Sequence, residues 1–124
     1  MRASQPQQLP DMFVEALNAG DVDAVVSLYE PDGVVAPYPN QLVAGHAAIR
    51  SMVSGFLALK PRFSLQDSEV VQTGDLALVR SRMTVKTSDL TGQTIEIAIR
   101  PTLIVRWHPD GGWLVAIDRP LTAA

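Results

Sequence analysis

Cysteine is absent from the 124 residues of this chain. Its absence excludes a disulfide framework, a thiolate nucleophile and a cysteine-based zinc site, so any chemistry has to use other groups. An excess of positive charge is also absent, because ten Lys and Arg face thirteen Asp and Glu and give a formal net charge of −3. Since an acidic chain is not drawn to a phosphate backbone, we expect no nucleic acid as a partner.

Long apolar runs are missing as well. No stretch approaches the roughly 18 consecutive apolar residues of a membrane span. The first residues, MRASQPQQLP, contain no apolar segment of the kind that a signal peptide needs. We therefore expect no membrane association and a cytoplasmic location.

Apolar residues are abundant, at 47% of the chain. That content, at a length close to the commonest domain size, supports one sizeable hydrophobic core. We predict a single domain over residues 1–124, in which the polar residues 1–6 form a loose arm.

Apolar side chains at helical spacing predict a first helix near the start of the chain. Leu9, Phe13, Ala16 and Leu17 fall on one helical stripe, and Gly20 suits the left-handed residue that closes a helix.

Two further helices are predicted before residue 60. Asp21 is placed to cap a second helix, whose apolar residues extend to Tyr29 before Pro31 stops it. The segment 33–39 reads as a short strand, which its prolines assign to the edge of a sheet. Apolar spacing then indicates a third helix over about 46–59.

The second half of the chain shows the period-two alternation of strands. Turn residues separate four segments, at about 62–73, 76–88, 93–107 and 113–119. Helices followed by strands predict an α+β fold, with three N-terminal helices packed on one face of a curved, mostly antiparallel sheet. The apolar face of the two central segments comprises Ala77, Val79, Met83, Val85, Ile95, Ile97, Ile99, Leu103, Val105 and Trp107.

Three segments together resemble a known superfamily. They are ALNAGDVDAVVSLYEPDGVV (16–35), GHAAIRSM (45–52) and RWHPDGGWLVAIDRP (106–120). The chain resembles the ketosteroid-isomerase-like and polyketide-cyclase-like branch of the nuclear transport factor 2-like superfamily. The resemblance implies a cone-shaped α+β fold around an apolar pocket. It leaves the reaction open, because this fold hosts isomerases, polyketide cyclases, dehydratases, epoxide hydrolases and proteins without a known reaction.

The groups that ketosteroid isomerases use are replaced here. Alignment through the ALNAGD segment puts Phe13 at the oxyanion tyrosine, Pro37 at or beside the catalytic aspartate, and Leu103 near the second aspartate. None of these three side chains can donate or accept a proton. The proton transfer that those isomerases carry out with a Tyr, Asp and Asp set is therefore not expected.

The last predicted strand contains the next candidates, Asp118 and Arg119. Some polyketide cyclases of this fold have a catalytic acid on that strand, which the resemblance transfers to this pair. If Trp113, Val115 and Ile117 face the pocket, alternation turns Arg119 inward and Asp118 outward, unless a bulge shifts the register. We favour Arg119 inside and keep Asp118 as the alternative.

His46 and Tyr38 complete the catalytic candidates. His46 is predicted in the first turn of the third helix, where a neutral imidazole could shuttle protons. Tyr38 lies between two prolines and could present its hydroxyl at the mouth of the pocket. Each candidate also has a structural interpretation, as an ion pair or an exposed side chain. The predicted ligand-binding residues, which are equally typical of a core, are Phe13, Leu17, Tyr38, Met52, Phe56, Met83, Ile97, Ile99, Leu103 and Ile117.

The two histidines, His46 and His108, lack the spacing of metal ligands, so we expect no metal and no cofactor. His108 reads as a plain loop residue. The outer face of the sheet mixes charged groups with the aliphatic Leu78 and Ile104, which favours a homodimer through that face. Its charged residues are Arg80, Arg82, Lys86, Glu96, Arg100 and Arg106.

Two functional hypotheses remain open. The first is a ketosteroid-isomerase-like protein that binds a small lipophilic molecule and catalyses isomerisation, cyclisation or dehydration without a cofactor. The second is a domain that binds a small molecule without converting it, or that serves only as a dimeric interaction module.

Overall fold

The computed structural model describes residues 2–121. Within that range, three α-helices pack against a mixed, open sheet of seven strands. The helices are α1 (Leu9–Ala19), α2 (Val22–Val26) and α3 (His46–Leu57), with a short 3-10 turn at Pro6–Gln8 before α1. The strands are β1 (Tyr29–Tyr38), β2 (Gln41–Ala44), β3 (Arg62–Thr73), β4 (Leu76–Ser88), β5 (Thr94–Ile99), β6 (Thr102–His108) and β7 (Gly112–Arg119). The predicted α+β fold is confirmed.

The signals at the junction of α1 and α2 act as predicted. Gly20 has a φ of 68°, which closes α1 in the left-handed conformation. The side chain of Asp21 accepts a hydrogen bond of 3.0 Å from the backbone N–H of Ala24 and so caps α2. No helix within residues 2–121 is long and apolar enough to cross a membrane.

The end of α2 differs from the prediction. The helix stops at Val26, and Tyr29 already belongs to β1. The reason is tertiary: Tyr29 pairs with Val115 of β7, and the backbone N–H of Val115 donates a 2.9 Å hydrogen bond to the carbonyl of Leu28. This pairing draws the chain into the sheet four residues earlier than local spacing indicates.

The strand order is β2-β1-β7-β6-β4-β3, with β5 paired to β4. β1 runs parallel to β7, whereas the other neighbours are antiparallel. The prediction that β1 forms the edge is wrong, because β2 folds back along it after Asn40, whose φ of 64° permits a tight turn. β2 was not predicted.

The predicted long strand over 93–107 is two strands. Pro101 has no backbone N–H to donate, so the ladder breaks between β5 and β6. β4 spans the break: its first half pairs with β6, its second half pairs with β5, and the N–H of Ser81 between them donates to the carbonyl of Pro101 at 3.0 Å.

The inner face of the sheet carries the core, as the alternation predicts. Val79, Val105 and Val115 are fully buried there. Ile95 and Ile97 of β5 are on the predicted apolar parity but remain 37% and 46% exposed, because β5 pairs with β4 alone.

Ala3 and Pro6 pack against the domain although Arg2, Ser4 and Gln5 are exposed, which corrects the predicted loose arm. Ala3 is 1% exposed, and its carbonyl accepts a 2.9 Å hydrogen bond from the N–H of Trp113. Pro6 is buried as well. Composition could not show this, because the contact is made by backbone groups and a small side chain.

This packing makes Gly112 a sensitive position. Gly112 has a φ of 72°, and a Cβ there would lie 2.4 Å from the carbonyl oxygen of Ala3. Gly74 shares the positive φ, at 55°, but has open space around it. We expect Gly74→Ala to cost about 1–2 kcal/mol of unfolding free energy for the left-handed backbone alone. We expect Gly112→Ala to cost more than about 3 kcal/mol because of the added clash. Urea denaturation measures both, and equal losses would contradict the contact with Ala3.

Candidate functional site

A β-bulge in β7 decides which side chain enters the interior. Ile104 pairs with Ile117 but Val105 pairs with Val115, so Ala116 is an extra residue in β7. After this bulge Asp118 is buried, at 5% exposure, whereas Ile117 is 48% exposed.

The bulge corrects two predictions. Arg119 is exposed and lies on the outer face, not inside, and Ile117 faces outward instead of lining the pocket. The unbulged alternation that favoured them fails because one inserted residue reverses the facing of everything that follows. The predicted alternative, Asp118 inside, is the arrangement that the structure has.

Tyr29 is the partner of the buried carboxyl. Its hydroxyl donates a hydrogen bond of 2.5 Å to Oδ2 of Asp118, and its side chain is only 4% exposed. Phe13 packs its ring against the Tyr29 ring edge-on, with centroids 5.5 Å apart. Sequence reasoning treated Tyr29 as an apolar helix residue. A buried tyrosine needs a partner for its hydroxyl, which was the available signal.

Burial dominates the electrostatics of this pair. It raises the pKa of Asp118 to about 6, although the hydrogen bond from Tyr29 acts in the opposite direction by stabilising the charged form. Burial, the charge of Asp118 and the shared hydrogen bond all raise the pKa of Tyr29 well above its usual value. Tyr29 therefore stays a donor, while Asp118 can exchange its proton near neutral pH.

The other carboxyl oxygen of Asp118 is unsatisfied. Oδ1 is buried and has no hydrogen-bond partner among residues 2–121. An unpaired buried acceptor of this kind costs roughly 1–3 kcal/mol. Asp118 pairs in register with Leu103 on one side and with Val35 on the other, and both are core residues. The free oxygen thus lies in apolar surroundings.

His46 contacts the same tyrosine through the main chain. It is the first residue of α3, and its Nε2 lies 2.9 Å from the carbonyl oxygen of Tyr29. Because a carbonyl only accepts, this nitrogen carries the proton and donates. His46 ties α3 to the start of β1 and supports the position of Tyr29. Its predicted role as a proton shuttle stays a prediction.

The predicted ligand-binding residues divide by depth. Phe13, Met83, Ile99 and Leu103 are buried, and Leu17 and Met52 are half-buried. Three of the set are more exposed, namely Phe56 (37%), Ile97 (46%) and Tyr38 (57%).

Asp118 lines neither of two cavities found within residues 2–121. One, of about 380 Å³, lies on the strands β3 and β4 beside Arg100, and the other, of about 300 Å³, lies between α1 and α2. The apolar pocket around Asp118 therefore stays a prediction. No group of three His, Asp or Glu that could hold a metal occurs in this part of the chain.

A second polar cluster joins β1 to the end of β6. Oε2 of Glu30 accepts a 2.8 Å hydrogen bond from Nε of Arg106 and lies 2.6 Å from Nε2 of His108. Burial by itself raises the pKa of Glu30, but the hydrogen bonds and charges of Arg106 and His108 outweigh it and lower the pKa overall. His108 is thus a hydrogen-bond partner of Glu30 at the end of β6, not the plain loop residue that was predicted.

Three helices packed on a mixed, open sheet of seven strands are the arrangement of the nuclear transport factor 2-like class of α+β proteins. A match to a family model identifies the family within this class. The SnoaL-like domain model matches residues 11–116, and the chain belongs to that family. The matched region ends two residues before Asp118. A comparison with curated proteins gave no match.

Solved structures show the same fold. A candidate calcium/calmodulin dependent protein kinase II association domain from Xanthomonas campestris is similar at 25% identity and a TM-score of 0.79, covering 98% of this chain and 93% of that one. A ketosteroid isomerase-like protein from Erwinia carotovora atroseptica is similar at 22% identity and a TM-score of 0.74, covering 91% of each chain. A candidate dehydratase of the nuclear transport factor 2-like family from Streptomyces avermitilis is similar at 21% identity and a TM-score of 0.77, covering 92% and 90%.

The raised pKa of Asp118 predicts how stability depends on pH. Because its folded pKa, about 6, lies above the value of 3.8 for a free side chain, the protonated form stabilises the fold at low pH, and this contribution is lost as pH rises through about 6. A difference of about two pKa units between the folded and unfolded states corresponds to about 3 kcal/mol of unfolding free energy. Asp118→Asn removes the titration, so the unfolding free energy of this variant should gain about 2 kcal/mol relative to wild type between pH 4 and pH 7.

Urea denaturation at several pH values measures this difference. Asp110→Asn, in the exposed turn before β7, removes one carboxyl elsewhere and is the matched control. A difference between Asp118→Asn and wild type that stays constant with pH would show that Asp118 ionises as freely in the folded protein as in the unfolded chain.

Proposed function

We propose that this SnoaL-like protein binds a small lipophilic molecule against the inner face of the sheet and moves a proton on it, with Asp118 as the general base and acid. One observation carries the proposal. Asp118 is a buried carboxyl whose pKa lies at about 6 and whose Oδ1 has no partner, while Oδ2 is held by Tyr29.

The two oxygens of Asp118 have different tasks in this proposal. Tyr29 occupies Oδ2 and fixes the orientation of the carboxyl, so Tyr29 is a positioning residue. Oδ1 is left to take a proton from the substrate, which breaks a C–H or O–H bond and leaves the electron pair on the substrate. The same oxygen then returns the proton at another atom. Isomerisation, cyclisation and dehydration all include such a transfer, and none of them needs a cofactor for it.

The proposal fits the absence of the isomerase groups. Phe13 and Leu103 stand where the resemblance places two of them, and both are buried apolar residues next to the Tyr29–Asp118 pair. Asp118 lies on the last strand, β7, whereas the resemblance places the isomerase groups on α1, β1 and β6. The polyketide-cyclase-like enzymes that this chain resembles include some with a catalytic acid on the last strand. The catalytic carboxyl is thus supplied from β7.

The surroundings of Asp118 indicate the class of substrate. The register neighbours of Asp118, Val35 and Leu103, are buried aliphatic residues, and Phe13 packs on its partner Tyr29. Such walls favour a lipophilic molecule with one carbonyl or hydroxyl group, because that group can pair with Oδ1 in place of water. A cytoplasmic location, expected from the sequence, belongs to the same proposal.

Solvent deuterium exchange tests the proton transfer without knowledge of the natural substrate. We expect the wild-type protein to speed incorporation of deuterium from D2O into the carbon next to the carbonyl of β-decalone, a lipophilic bicyclic ketone, as followed by NMR. Asp118→Asn should lower this rate at least about 100-fold, because general base catalysis contributes roughly that factor. Asp110→Asn should leave it unchanged.

The pH profile tests the role of Tyr29. Tyr29→Phe removes the hydrogen bond that stabilises the charged form of Asp118, so the pKa of Asp118 rises above about 6. The acid limb of the exchange rate should therefore move to higher pH. If wild type and Asp118→Asn exchange the ketone equally, the proton-transfer function is wrong, and tight binding of the unchanged ketone would favour the non-catalytic alternative.

We also propose that the protein forms a homodimer through the outer face of the sheet. Aliphatic side chains stand in register across five strands there, with Val71 at 66% and Ile117 at 48% exposure. The row, here called the aliphatic row, runs Val34, Ile117, Ile104, Leu78 and Val71. A second copy is the occupant that this row fits, because a two-fold axis sets identical apolar patches against each other.

Sedimentation velocity tests the dimer. Leu78→Lys puts a charge in the middle of the aliphatic row and should turn the dimer into a monomer. Leu90→Lys, in the exposed turn between β4 and β5, adds the same charge away from the row and should leave the dimer intact. A wild-type protein that sediments as a monomer at micromolar concentration would disprove this interface.

A further inference from the structure

Arg119, excluded from the interior, belongs to a group of arginines on the outer face. Thr102 of β6 pairs with Arg80 on one side and with Arg119 on the other. Since neighbouring strands are about 4.8 Å apart, the backbones of Arg80 and Arg119 lie within about 10 Å. Arg82 follows on β4, and Arg100 lies at the break between β5 and β6. Four of the eight arginines of an acidic chain thus meet in one place.

Three of these four arginines, Arg80, Arg82 and Arg100, line a cavity of about 380 Å³. Its volume is within the range of sites that hold small molecules, roughly 300–1,000 Å³. We call it the arginine cleft, and its lining residues are Asp67, Ser68, Glu69, Arg80, Ser81, Arg82 and Arg100.

Paired charges leave the cleft with an excess of guanidinium groups. Asp67 accepts hydrogen bonds of 3.0 and 2.9 Å from Nε of Arg82, so these two charges cancel. Arg100 also lies near Asp67 and helps to lower the pKa of that carboxyl. The lining as a whole holds three arginines and two carboxylates, so its net charge is positive.

Arg100 supplies the sharpest indication of a ligand. Its Nε is buried and has no acceptor among the described residues. A buried N–H of a charged group is unfavourable without an acceptor. The planar fork of a guanidinium matches two oxygens of a carboxylate or phosphate group, which would satisfy it.

We propose that the arginine cleft binds an oxyanion, the carboxylate or phosphate group of a small molecule, through Arg100 and Arg80. The site is independent of Asp118, which lies on the opposite face of the sheet. It is also distinct from the aliphatic row, which runs beside it on the outer face.

Heteronuclear NMR on the full chain tests the proposal. Inorganic phosphate and acetate are titrated separately at constant ionic strength, with sodium chloride as the balance, and the Nε–Hε signals of the arginines are followed. We expect a saturable shift of the Arg100 Nε–Hε signal. Whichever probe saturates at the lower concentration identifies the phosphate or the carboxylate as the preferred group.

Substitutions distinguish specific binding of the anion in the cleft from its general attraction to positive charge. Arg100→Gln should weaken binding at least about tenfold, since one charge-assisted hydrogen bond is worth that much. Arg80→Gln, at an exposed position, should do the same if Arg100→Gln impairs folding. Arg50→Gln removes the same charge from α3, where Arg50 is exposed and paired with Asp23, and should leave binding unchanged.

Three outcomes would overturn the proposal. The first is a shift that does not saturate with either anion. The second is equal affinity for wild type, Arg80→Gln and Arg50→Gln. The third is that Arg80→Gln dissociates a dimer while neither anion binds, because a carboxylate of a second copy would then fill the cleft.

Discussion

One extra residue in β7 is the constraint on which the candidate site depends. Because Ala116 is bulged, Val115 and Asp118 both face the interior although three positions separate them. Without the bulge, Arg119 would enter the apolar layer and Asp118 would face solvent. A bulge next to a functional group is a common means of turning a side chain to a chosen face. Here it puts an acidic group where the fold otherwise supplies only apolar ones.

The buried carboxyl is held in a state that costs stability. Burial opposes its charge, and only one of its two oxygens has a donor, from Tyr29. The rest of the local structure supports this arrangement: Phe13 packs on the ring of Tyr29, and His46 donates to its carbonyl. An ionisable group whose charged form is destabilised by burial, but whose position is fixed by its neighbours, is typical of sites where protons are transferred.

The two faces of the sheet carry different chemistry. The inner face joins the core to one acid, whereas the outer face sets an aliphatic row beside a cluster of arginines. The helices and the sheet on which they pack belong to a fold that this chain shares with the SnoaL-like family and with solved structures. The arrangement of the outer face follows from the strand pairing of this chain.

The sequence by itself determined the three helices apart from the end of α2, the apolar parity of the strands up to the bulge in β7, and the class of fold, because these depend on spacing within short segments. Gly20, Asp21 and the alternation through Val79 acted as local physics predicts. The parallel pairing of β1 with β7, the packing of Ala3 on Trp113 and the bulge at Ala116 were decided only by the tertiary structure. Each of them joins backbone groups that are distant in sequence. The pattern of side chains does not reveal which distant carbonyl a backbone N–H will bond. For the same reason Tyr29 could be seen as apolar but not as the residue that holds Asp118.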